Sequence, residues 1–198
     1  MPTETKSDSK ETMRAARIAT RDAVRKSAPK LHEVVKYPDP VLLKKGDPVT
    51  EFTPELAQLV DEMFDSMYAA EGIGLAAPQI SISKQITVID VSFKERPEDK
   101  LVLINPEVID RHGKQIEEEG CLSLPDIHEK VQRDAWVKVR AQNVEGKFFE
   151  VEGTELLARA ILHEIDHLHG ILFIDRLSRL KRDLVLRRIK KLQKHGEW

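Results

Sequence analysis

The stretch ELLARAILHEIDHLHG, Glu155 to Gly170, decides how the chain is read. Thr154 precedes it as a capping residue, and Leu157, Ile161, Ile165 and Leu168 recur at three- and four-residue steps, the period of one helix face. On such a helix His163 and His167 stand one above the other, and both imidazoles reach a single ion. Glu164 sits beside that face, placed to address a water rather than the ion. Two histidines four apart with a glutamate after the first form the HExxH pattern, in which the histidines ligate and the glutamate is general base. The same five residues also fit an ordinary solvated helix face, so a third ligand has to decide.

The extended form HExxHxxGxxH holds through Gly170 and then fails, because Phe173 occupies the place of the third histidine. Asp175 is a possible downstream ligand. Cys121, in EEEGCLSLP, is the better candidate. A thiolate with two imidazoles leaves one tetrahedral position for solvent, the pattern of a catalytic rather than a structural site. A lone cysteine is otherwise a small buried apolar residue. Gly120 before it and Leu124–Pro125 after it point to an extended loop that approaches other backbone closely.

Outside these segments the texture is that of an α+β protein. Thr53 and Pro54 open a helix carried by Leu56, Leu59, Val60, Met63, Phe64 and Met67 and ending near Gly72. QITVIDV (85–91) and LVLI (101–104) read as buried strands. AWVKVRA (135–141) alternates as a half-buried strand and pairs with FFEVE (148–152) across NVEGK. Leu177, Leu180, Leu184, Ile189 and Leu192 form a broken apolar stripe on a C-terminal helix. Strands segregated from helices, without βαβ alternation, point to an α+β domain.

The 198 residues suit one folded unit over 31–198, preceded by an arm, 1–30, with no aromatic residue and few large aliphatics. Arg14, Arg17, Arg21 and Arg25 raise an organellar transit peptide, against which Glu4, Asp8 and Glu11 argue. The expectation is a mobile arm on a cytoplasmic protein. With 32 basic and 34 acidic residues, no global charge draws the chain to DNA, and no apolar run predicts a membrane span. The single cysteine excludes an internal disulfide. Charge is local instead: 176–198 carries nine basic and two acidic residues, which fits either a solvated face or contact with ribosomal RNA phosphates.

GIGLAAPQ, Gly72 to Gln79, faintly matches a dinucleotide fingerprint, but it follows a helix and meets Pro78, so that reading is discarded. Taken in order, GIGLAAPQ, EGCLSLP and HEIDHLHG resemble the three motifs of the peptide deformylases, and YPDPVLLKKGDPV extends the likeness from about Leu31 to about Leu180. The resemblance implies an α+β fold with antiparallel strands packed around the HExxH helix, and removal of the formyl group from the N-terminal formylmethionine of nascent chains, releasing formate. It implies that Cys121, His163 and His167 bind one ion per chain, typically Fe(II), with nickel, cobalt or zinc able to replace it. It further implies Glu164 as acid/base, and Gln79 with the Leu122 amide as the oxyanion donors. Ile73, Gly74 and Leu156 are the candidate walls of the methionine pocket, with a core role for Leu156 equally open. His128 stands where many members carry arginine. An HExxH peptidase and a non-catalytic metal-binding adaptor remain the other readings of the residues.

Overall fold

The computed structural model describes residues 30–198. Helix α1 (Pro54–Ala69) starts after Thr53, which takes the N-cap place without a side-chain hydrogen bond. Strands β1 (Gly74–Ala76), β2 (Ile86–Ile89), β3 (Leu101–His112), β6 (Trp136–Gln142) and β7 (Phe148–Thr154) form one antiparallel sheet in the order β1-β2-β3-β6-β7. Strands β4 (Gln115–Cys121) and β5 (Leu124–Arg133) make a separate two-stranded sheet. Helices α2 (Glu155–Leu168) and α3 (Arg179–His195) complete the α+β architecture.

The contrast between continuous and alternating apolar runs has a direct cause. Strand β2 and the first four residues of β3, Leu101 to Ile104, are covered on both faces. Ile86, Val88, Val102 and Ile104 pack against Val60, Met63, Phe64 and Met67 of α1, while Ile89, Leu101 and Leu103 meet Ala158, Ile161 and Ile165 of α2. Every side chain of those segments is therefore buried. Strand β6 is covered on one face only: Val137, Val139 and Ala141 join the α2 cluster and the residues between them face outward. Full burial of a side chain such as Ile161 contributes about 1.5–3 kcal/mol, so the sheet-facing stripe of α2 is what seats the histidine helix.

Three expectations need revision. EEEGCLSLP is not a loop: it is the end of β4, the turn and the start of β5. Consecutive glutamates hide the strand because β4 turns mostly charged side chains to solvent. The stripe on α3 is also displaced. Leu180 and Leu184 are exposed, and Val185 and Ile189 are the buried pair, packed with Leu124, Ile127, Val131 and Phe173 in a third cluster. One turn separates 185 from 189, so a single helix face explains both, and the two leucines lie off it. Finally, β3 runs eight residues beyond LVLI, to His112, across two register shifts that interrupt its apolar pattern. The arm expected over 1–30 lies outside the described residues except for Lys30.

Candidate active site

Helix α2 sets His163 and His167 with ring centroids 4.9 Å apart and planes at 72°. The β4–β5 hairpin brings Cys121 to the same point, with Sγ 3.2 Å from His167 Nε2. One donor atom from each of the three residues lies within 4.8 Å of the others. Donors held tetrahedrally at zinc-like distances of about 2.0–2.3 Å stand roughly 3.5 Å apart, so this sulfur–nitrogen spacing fits a single divalent ion. Phe173, which replaces the third histidine of the longer pattern, stacks on His163 at 6.2 Å and is fully buried.

Without an ion these groups interact strongly. Burial works against a charged His163, but the hydrogen bonds it donates to Cys121 and Glu119 outweigh it and hold its pKa up at about 10. His167 goes the other way, well below the usual imidazole range, because it is buried and faces the positive His163 and Arg133. A cation between the thiolate and the two rings replaces the proton that the set otherwise keeps.

Two buried carboxylates flank the histidines. Glu119 accepts from His163 Nδ1 at 3.1 Å, from Arg133 Nε and Nη2 at 2.9 Å each, and from Arg159 Nη1 at 2.5 Å. Burial alone would raise its pKa, but His163 and Arg133 together hold it at about 2. Its bond to Nδ1 leaves His163 Nε2 free to ligate and fixes the ring. Arg133 also donates to Asp166 at 2.5 Å, and Arg176 grips the same carboxylate with Nε and Nη2. The sequence pattern singles out neither Glu119 nor Arg133, leaves Asp166 as a helix-face charge and takes Arg176 only as part of the basic 176–198 segment. Arg159, one turn before His163 on α2, also donates to the Val131 carbonyl at 3.2 Å.

Glu164 has the opposite surroundings. It is 4% exposed, and its Oε2 has no hydrogen-bond partner among the described residues. Burial raises its pKa to about 7, against the lowering effect of His163 and Arg133. Gly74 lies against it: a Cβ at that position would overlap the Glu164 carboxylate. That contact, rather than a turn, is why glycine stands there.

Gln79 is buried in the short 3-10 helix Ala77–Ile80. Its Oε1 accepts from the Ala76 amide at 2.8 Å, which forces Nε2 toward Cys121 Sγ, 3.6 Å away, and Ser123 Oγ, 3.3 Å away. The side-chain amide orientation is thereby settled by the backbone. Leu122 follows Cys121 in the hairpin turn and packs toward Gly72, whose missing Cβ leaves room for Leu122 Cδ1.

A cleft of about 660 Å³ opens over these groups, lined among others by Ile73, Gly74, Gln79, Leu122, Leu156 and Glu164. Leu156 is 43% exposed at the lip, so it belongs to the cleft wall and not to the core. His128 also lines the cleft and is exposed, its ring lying over Gly120, where a Cβ would come within 2.8 Å of it. Ile73, Gly74, Gln79, Cys121, Leu122, Leu156, His163 and Glu164 line this one opening, and His167 is buried behind them against Cys121, whereas Asp175 pairs with Arg182 instead.

Residues 31–183 match the family model for polypeptide deformylase. The chain belongs to the peptide deformylase family. A peptide deformylase of Acidobacterium capsulatum is 67% identical over 168 residues, covering 85% of this chain and 99% of that protein. One from Thermodesulfovibrio yellowstonii is 48% identical over 158 residues, covering 80% and 96%. Among solved structures, a peptide deformylase from Legionella pneumophila superposes with a TM-score of 0.78 at 41% identity, covering 84% of this chain and 98% of the other. As a deformylase the protein is a metal-dependent hydrolase that removes the formyl group from nascent polypeptides. The peptidase and adaptor readings are set aside on these grounds. Among the described residues no helix is long and apolar enough to cross a membrane.

Proposed function

We propose that Cys121, His163 and His167 hold one divalent ion, Fe(II) in the native protein with nickel, cobalt or zinc able to substitute, and that Glu164 is the acid/base of deformylation. The observation that carries this reading is the convergence of a thiol and two imidazoles beside a buried carboxylate whose pKa is pushed up to about 7. The bound ion supplies Lewis acidity, which lowers the pKa of water from 15.7 toward about 7.

The chain's own groups do the rest. Glu164 takes a proton from the attacking water and passes one to the departing amine, and a pKa near the working pH suits both tasks. Gln79 Nε2, whose direction is imposed by the Ala76 amide, donates to the formyl oxygen as charge builds on it, together with the Leu122 amide. Donors held in advance have no reorganisation to undergo during the reaction. Ile73 and Leu156 take the methionine side chain between them, and Gly74 keeps the wall thin enough for Glu164 to face the substrate.

Formylmethionyl peptides and nascent chains are the substrates in this reading. The basic 176–198 segment is a contact for ribosomal RNA phosphates, and the cytoplasm is the place of action, with an organelle as the alternative if residues 1–30 act as a leader. Formate release from a formyl-Met peptide, measured anaerobically with metal content, tests the site. Glu164→Ala is expected to retain metal and lose turnover, while Cys121→Ala loses both. Full activity in either variant refutes the assignment.

A further inference from the structure

On the side of α2 away from the cleft lies a second recess, of about 240 Å³, lined by Arg111, Gln132, Arg133, Asp134, Leu162 and Arg176. Its lining is mostly polar and cationic. Arg133 is the buried member, with 3% of its side chain exposed, while Arg176 and Arg111 stand at the opening, 40% and 57% exposed.

Three guanidiniums converge on this recess. Arg133 and Arg176 both donate to Asp166, and Arg111 forms a long ion pair with Asp134, 3.6 Å from its Nε, too far for a good hydrogen bond.

Donors are also left over. Arg133 directs one hydrogen from each of its three nitrogens to Glu119 or Asp166, which occupies three of its five. Arg176 uses Nε and Nη2 on Asp166, and no hydrogen bond to its Nη1 is seen among the described residues. Both guanidiniums reach the same carboxylate, so they lie close together at the floor and side of one concavity. Three converging guanidiniums, forked donors to spare and a recess of this size together match a small oxyanion.

We propose that this recess binds a small oxyanion of phosphate or carboxylate type, held by Arg111, Arg133 and Arg176. The site is separate from the metal face but close to it in the bonding network: Arg133 joins it to Glu119, and Glu119 holds His163.

Calorimetric titration of the metal-loaded protein with inorganic phosphate and, separately, with formate tests this, with ionic strength balanced by chloride. Saturable binding of one equivalent is expected, weakened about tenfold by Arg111→Gln and by Arg176→Gln, the loss of a charge-assisted contact. The relative affinities of the two probes identify which chemistry the recess prefers. Arg111 is exposed and outside the buried network, so Arg111→Gln retains the fold and the deformylase activity and decides the matter if Arg176→Gln does not fold. Absence of saturable binding, or binding equally strong in Arg111→Gln, which would place the anion at the metal centre, overturns the proposal.

Discussion

Glu119 and Glu164 both line the cleft beside His163 and both are buried, yet their pKa values are held at about 2 and about 7. Glu119 sits among two arginines and a histidine that donate four hydrogen bonds to it. Glu164 sits against Gly74 and has an oxygen with no partner among the described residues. Burial pushes both carboxylates toward the neutral form; partners reverse that for one and not for the other. A carboxylate that is permanently charged fixes a ligand ring, and one poised near neutrality moves protons.

The difference makes graded predictions. Glu164→Gln is expected to lower kcat by about 10²–10⁴ with bound metal unchanged, as measured by formate release beside metal analysis. Gly74→Ala should produce a loss of similar kind, since its Cβ competes with the Glu164 carboxylate, and a normal kcat in that variant would separate Glu164 from its supposed position.

Glu119→Gln tests the other carboxylate. It leaves Arg133 and Arg159 without their charged partner, so metal affinity should fall about 10–100-fold. Thermal unfolding should show destabilisation of about 3–5 kcal/mol, the usual cost of breaking a buried ion pair from one side. A variant that keeps both metal and stability would show that the Glu119 network is idle.

The pH dependence is a smaller effect. Glu164 must be ionised to accept a proton, and its pKa is raised to about 7, so kcat/KM should rise with pH through that region and be low below it. Glu119 raises the Glu164 pKa by its negative charge, and its replacement by glutamine should therefore move the limb to lower pH. Stability changes in the same direction but at lower pH. Glu119 has a depressed pKa, so its contribution is complete above the ordinary carboxylate range and is lost as pH falls toward about 2. At the bottom of the scale, the exposed pair Arg140–Glu150 on β6 and β7 should be removable with no measurable change in melting temperature.

Much of this was legible without coordinates. The helical period around His163 survives because Ile161, Ile165 and Leu168 are buried by the sheet that the period implies. The strands that could be read were those whose apolar pattern reports burial, continuous in β2 and alternating in β6. The β4–β5 hairpin could not be read this way. Its buried residues include Glu119 and Arg133, which are charged, and no hydrophobicity pattern registers a strand that buries ions. The α3 stripe misled for a related reason: leucine occurs on exposed faces as well, and only packing against Leu124 and Phe173 selects Val185 and Ile189.

The order of residues along the chain settled the chemistry that short-range geometry governs: two imidazoles one helical turn apart, a glutamate beside them, and a thiol elsewhere of the right type. It could not settle which of 34 acidic residues lose their water. Desolvation and ion pairing depend on neighbours 40 or more positions away, as between Glu119 and Arg159 or His163. Those neighbours meet only when the sheet and hairpin close around α2. Electrostatic character is therefore a property of the assembled interior, while ligand identity belongs to the individual side chains.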